Sequence, residues 1–341
     1  MELKMQVPNE LKDYATRIGF GDSETMAEIL TIIFDDEEKL KLAAALPGTI
    51  AELSEKTGMS EAEVKALADK LTKQGIINHV VRKGDYYRLF PAMIELRDSS
   101  VIVPEFPKRF IELWEKLIKE EMPKFVPILE ELKIPPMLRV VPIEETVESK
   151  SQVLDADSAR KIFADATLIT AIPCPCRTIA KGVGKGEDCP APESAVCMQT
   201  NGFAEAVINR GIGEKLTNEE ALKRIGEAEE AGLVHMVRNN IKDDMLMCNC
   251  CSCCCTGLFL LNELGYKDAS SPSRFRVEFD ADLCSGCGEC EDRCQFHAIE
   301  VDEIAAFDLE KCYGCGLCVQ TCPSDAITLK EIRPLEFIRK T

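Results

Sequence analysis

Between about Ser23 and Pro91 the apolar positions change from a helical period to an alternating one. Ile50 and Leu53 share a face in a third helical segment, and Val64, Leu67 and Leu71 recur at i, i+3 and i+7 in the next. Ser60 stands where a helix cap belongs, and the pattern stops near Gly75. Ile76 to Arg82 and Tyr86 to Leu89 then read as two strands joined by Lys83-Gly84-Asp85. Two amphipathic helices follow, one striped by Phe110, Trp114, Leu117 and Ile118, the other by Phe125, Ile128, Leu129 and Leu132. Pro135-Pro136 ends that stretch.

From about Ser151 to Ser271 helices and strands mix. A helix near Asp157 to Ala164 leads into the strand-like Leu168 to Ile172, which delivers the chain to Cys174-Pro175-Cys176-Arg177. Thr217 and Glu220 form a capping box for a further helix, Gly232 stops it, and Leu233 to Val237 reads as a strand. The predicted class is α+β. Its expected parts are a winged-helix-like domain over 1–92, a packed helical connector over 93–150, a cysteine-rich mixed α/β domain over 151–272 and a further domain over 273–341. The first of these rests on resemblance: three or four short helices followed by a hairpin resemble a winged helix-turn-helix.

Length and a 45% hydrophobic content suit a chain with real cores. The longest apolar run is near Leu258 to Leu261, and the start, Met1-Glu2-Leu3-Lys4, lacks the basic-then-apolar layout of a signal peptide. These features predict a cytoplasmic protein without membrane association. A net charge of −18 repels polyanions and favours a basic partner protein. A winged helix that reads DNA needs cations on its recognition helix. Here that helix opens Ser60-Glu61-Ala62-Glu63, and Asp69 offsets Lys65, Lys70 and Lys73. Arg82, Lys83 and Arg88 on the wing keep DNA binding by a redox-responsive regulator as an alternative; otherwise the domain is expected to dock protein or to dimerise.

The 18 cysteines fall in tight clusters, which in a reducing compartment reads as metal ligation rather than a disulfide scaffold. Adjacent thiols such as Cys253-Cys254-Cys255 are sensitive to oxidation and suggest an anaerobic host. Cys284-x2-Cys287-x2-Cys290-x3-Cys294 recurs about 28 residues later as Cys312-x2-Cys315-x2-Cys318-x3-Cys322-Pro323. Asp280, Gly286, Gly288 and Ala298-Ile299 repeat as Asp308, Gly314, Gly316 and Ala326-Ile327. This duplication resembles the two-cluster bacterial ferredoxins. The resemblance implies two 4Fe-4S clusters, one on Cys284, Cys287, Cys290 and Cys322, the other on Cys312, Cys315, Cys318 and Cys294. Gln295 departs from the pattern, because such modules usually place proline after the fourth cysteine of both halves.

The middle region holds ten further candidate ligands: Cys174, Cys176, Cys189, Cys197, Cys248, Cys250, Cys251, Cys253, Cys254 and Cys255. Six cysteines within eight residues cannot all face one metal, since successive side chains diverge. At least one additional cluster is expected; a structural zinc site, zinc with free thiols, and a redox-active thiol pair are the alternatives. Arg177 is placed either to stabilise thiolates or bound sulfide, or as a surface residue in a salt bridge. His235 is expected at a strand edge, and His297 either beside a cluster or in solvent. Gly182 to Gly186 lies in the wrong context for a nucleotide loop.

Over Val140 to Ile332 the chain is similar to a group of 4Fe-4S dicluster proteins of anaerobic bacteria and archaea that join a cysteine-rich domain to a C-terminal ferredoxin module. That resemblance implies iron-sulfur binding and electron transfer. The function expected is a relay of low-potential electrons through the ferredoxin-type clusters to or from an additional cysteine-ligated centre and an oxidoreductase partner. The alternatives are a reductase with its own catalytic cluster in the middle region and the redox-sensing regulator.

Overall fold

A computed structural model describes residues 5–80, 83–147, 158–194, 196–240 and 245–340. The chain forms two compact units: Met1–Pro123 with Pro175–Lys185, and Lys124–Cys174 with Gly186–Thr341.

In the first unit, helices Glu24–Ile33, Glu37–Ala45, Ile50–Thr57 and Glu61–Lys73 accompany a small antiparallel sheet. Ser60 accepts from the Glu63 amide and Glu63 reaches back to Ser60, so the helix starts where its cap dictates. Val64, Ala68 and Leu71 make its buried face, with Leu67 half-buried beside them. Strands β1 (Gly48–Thr49), β2 (Ile77–His79) and β3 (Tyr86–Leu89) form the sheet in the order β1-β3-β2. Arg82 lies outside the described residues. Helix Lys108–Lys116 buries Phe110, Leu113 and Trp114, and the short helix Pro175–Gly182 belongs to this unit.

The expected second stripe differs. A π-turn over Leu117–Glu121 inserts one residue before helix Met122–Leu132, which rotates the following face by about 100°. Ile128 and Leu132 are left exposed, with Phe125 and Leu129 half-buried.

The second unit is built on an antiparallel six-stranded sheet. Its strands are β4 (Leu138–Val140), β5 (Ile169–Ile172), β6 (Cys197–Thr200), β7 (Glu214–Leu216), β8 (Val234–Arg238) and β9 (Leu246–Cys250), in the order β4-β8-β9-β6-β5-β7. Strand alternation sorts the residues of β8 and β9 onto two faces. Val237 and Met247 join Phe163 and Ile225 from helices Ala159–Ala164 and Asn218–Glu230 in one core. Val234, Met236, Cys248 and Cys250 join the opposite core, whose other side is Phe296, Tyr313 and Leu317 of the C-terminal module. Asp157, expected at the first helix, is outside the described residues; Ser158 caps that helix.

The C-terminal module pairs β10 (Phe275–Phe279) with β13 (Ile327–Glu331), and β11 (Ile299–Val301) with β12 (Ala305–Phe307). Two five-residue helices, Glu289–Arg293 and Leu317–Thr321, start at Gly288 and Gly316, both left-handed. Among the described residues no helix is long and apolar enough to cross a membrane.

Candidate metal centres

Each half of the C-terminal repeat presents three cysteines from a tight loop and its following helix. Cys312, Cys315 and Cys318 line one pocket, and the fourth cysteine on its wall is Cys294, from the other half. Cys284, Cys287 and Cys290 line a second, completed by Cys322. The crossed partnership follows from the packing of helices Glu289–Arg293 and Leu317–Thr321 side by side. The loop backbone points at sulfur: the Gly286 amide donates to Cys284 Sγ at 3.5 Å and the Ala298 amide to Cys294 Sγ at 3.4 Å.

This donor set fits a 4Fe-4S cluster. Burial pushes the Cys318 and Cys290 thiols up and Cys315 up to about 12, so a bare thiolate is disfavoured at these positions. A cationic iron centre removes that penalty, and two four-thiol pockets are what a duplicated cluster motif needs.

A model of the 4Fe-4S dicluster domain matches residues 283–326. The matched segment spans both cysteine runs, and with the pockets it points to iron-sulfur electron transfer. No curated protein matches the chain.

The ten middle cysteines separate into groups. Cys189, Cys251, Cys253 and Cys254 gather with all four sulfurs within 4.8 Å of one another. Cys197, Cys248, Cys250 and Cys255 form a string of neighbours on the other side of the same chain turn, with Cys174 close enough to act electrostatically on Cys248. Hydrogen bonds from Cys197 and then Cys250 hold the Cys248 thiol below its ordinary range. Bonding to Cys248 and Cys255, reinforced by burial, holds Cys250 above it.

The string lies in an apolar setting shared with the ferredoxin-type module. Cys248, Cys250 and Cys255 belong to the core that also contains Cys294, Cys312 and Cys315, with Phe296 and Tyr313 stacked at 4.8 Å inside it. Cys176 belongs to the first unit. There Arg97, buried, donates from Nη2 to Cys176 Sγ at 3.3 Å and pairs with Asp98 at 2.6 Å.

Arg177 is buried, which excludes the surface alternative. His235 is not at a sheet edge: β8 runs between β4 and β9, and the ring is buried, with Nδ1 at 2.5 Å from Asn249 Oδ1 and Nε2 at 3.3 Å from Glu229. His297 is exposed. Gly182 closes a helix where a nucleotide loop would open one. Arg97 was invisible to spacing, since 79 residues separate it from Cys176. Gln295 was visible only as a departure from a pattern.

Proposed function

We propose that this protein relays low-potential electrons from a donor, through two ferredoxin-type 4Fe-4S clusters, to a third centre in its cysteine-rich region and on to an oxidoreductase partner. Cys284, Cys287, Cys290 and Cys322 are the ligands of one cluster, and Cys312, Cys315, Cys318 and Cys294 of the next. Cys197, Cys248, Cys250 and Cys255 are the ligands of the third, with Cys174 beside them. When bound, each cluster carries a single electron and holds no substrate.

One observation carries this reading: Cys248, Cys250 and Cys255 share an apolar core with Cys294, Cys312 and Cys315. Phe296, Tyr313 and Leu317 are buried members of the same core, an apolar setting that lowers the local dielectric. The period of β9 puts Cys248 and Cys250 on the sheet face that meets the ferredoxin-type module, and Met247 on the other.

The four functional parts are 1–92, 93–150, 151–272 and 273–341. The first is a winged helix used for docking protein. Supporting this, Lys65 on helix Glu61–Lys73, which directly precedes the hairpin, is held by Asp69 at 2.8 Å, which cancels a cation that phosphate contact needs. The exposed thiols of Cys253 and Cys287 favour an anaerobic, cytoplasmic setting.

Anaerobic reductive titration of the full chain tests the relay. The reading expects about three electrons per chain, falling to about two in C248S/C255S with the ferredoxin-type EPR signals retained. Equal uptake of two electrons by both proteins would refute it.

A further inference from the structure

Cys189, Cys251, Cys253 and Cys254 have a geometry unlike that of the ferredoxin-type cysteines. Cys189 Sγ lies 3.4 Å from Cys251 Sγ, Cys253 Sγ 3.2 Å from Cys251 Sγ, and Cys253 Sγ 3.5 Å from Cys254 Sγ. All four fall within 4.8 Å of one another. A cubane spreads its four thiolates over four separate irons, so they surround a cage, as the quartets around the two C-terminal pockets do. Four thiolates on one ion instead converge on a point. A metal–sulfur bond of about 2.3 Å sets the edges of a tetrahedron at about 3.8 Å, the scale seen here.

We propose that Cys189, Cys251, Cys253 and Cys254 hold one tetrahedral zinc ion, distinct from every iron-sulfur centre of the chain. The set contains no imidazole or carboxylate, and four thiolates in a tetrahedron are a soft, closed environment that suits a structural ion. As the ion binds, each thiol releases its proton to solvent, leaving the site with a net charge of minus two. No electron is transferred in that step.

Local structure explains how the quartet assembles. Cys251 to Cys254 occupy the turn after β9, closed by the Cys255 amide on the Cys251 carbonyl at 3.1 Å. Cys189 comes from a loop 62 residues away, turned by its own amide on the Gly186 carbonyl at 3.2 Å. Val196, Ala228 and Leu233 form an apolar floor on which Cys251, Cys189 and Cys254 rest. The ion would therefore tie a distant loop to the turn that also carries Cys250 and Cys255. This inference does not depend on the relay: the zinc site stands or falls on its own sulfurs.

The test is zinc, iron and acid-labile sulfide analysis of the full chain purified without oxygen, beside C189S/C253S. About one zinc per chain is expected, lost in the variant while iron and sulfide stay unchanged. Loss of four irons with four sulfides would make the site a cubane and overturn the proposal. So would loss of one iron without sulfide, or a wild-type protein free of zinc. Should the variant not fold, zinc-edge X-ray absorption of the wild type decides: four sulfur neighbours at about 2.3 Å are required, and any nitrogen or oxygen neighbour contradicts it.

Discussion

The side-chain oxygen of Gln295 accepts the Ser252 amide at 2.7 Å, while the same side chain donates from Nε2 to the Gly232 carbonyl at 3.1 Å. Gln295 occupies the position where ferredoxin-type modules usually carry proline. A proline there has no side-chain donor or acceptor, so the glutamine converts a rigid loop corner into a strut. It joins Cys294 to the turn holding Cys251 and Cys253, and Asn262 secures its backbone carbonyl at 2.9 Å.

Replacing Gln295 by leucine leaves the Ser252 amide and the Gly232 carbonyl without that partner. A loss of about 1–3 kcal/mol in unfolding free energy is expected, measured by denaturant titration without oxygen. The EPR signal of the cluster on Cys284, Cys287, Cys290 and Cys322 should be unchanged. Unaltered stability would show that the strut carries no load.

Two glycines of the repeat predict opposite outcomes. Gly314 has φ of +66°, and a Cβ built on it would stand 2.1 Å from the Phe275 carbonyl oxygen and 2.5 Å from Ser273 Oγ. Gly288 has φ of +83° but nothing within 4 Å. G314A should therefore block the loop that presents Cys312 and Cys315 and lower the iron content by about four per chain. G288A should keep its iron and cost only the left-handed strain, about 1–2 kcal/mol. Equal iron contents in the two variants would contradict this account of the loops.

Arg97 supplies a prediction for the first unit. Its guanidinium is buried and holds both Asp98 and Cys176. In R97M the methionine fills the space but leaves Asp98, itself partly exposed, without its ion pair, so a loss of about 1–3 kcal/mol is expected. D98N should cost less, because the amide still accepts from the guanidinium. The order of the two variants in denaturant midpoint checks this, and the reverse order would contradict it.

Features encoded within a few residues were legible in the sequence. Ser60 caps its helix and Thr217 with Glu220 forms a capping box as the spacing implied, and Gly232 ends its helix at φ of +72°. The repeated cysteine runs showed an internal duplication through their own periodicity, and the resemblance to two-cluster ferredoxins implied which four thiols go together. Features set by tertiary packing were not legible. Nothing local says that Cys248 and Cys250 turn one way while Cys251, Cys253 and Cys254 turn the other, because the division falls where β9 ends. The burial of His235 depended on β4 returning from nearly a hundred residues upstream to cover β8. The exposure of Ile128 and Leu132 depended on a π-turn, which leaves no signature in hydrophobic spacing.

The relay rests on a third cluster in the core shared by Cys248, Cys250 and Cys255 with Cys294, Cys312 and Cys315. Iron and sulfide analysis of the full chain, purified and reconstituted without oxygen, tests it most directly when set beside C248S/C255S. The account predicts about twelve irons and twelve sulfides per chain, falling to about eight of each in the variant. About eight of each in both proteins would mean that the middle cysteines hold no cluster, and would contradict it.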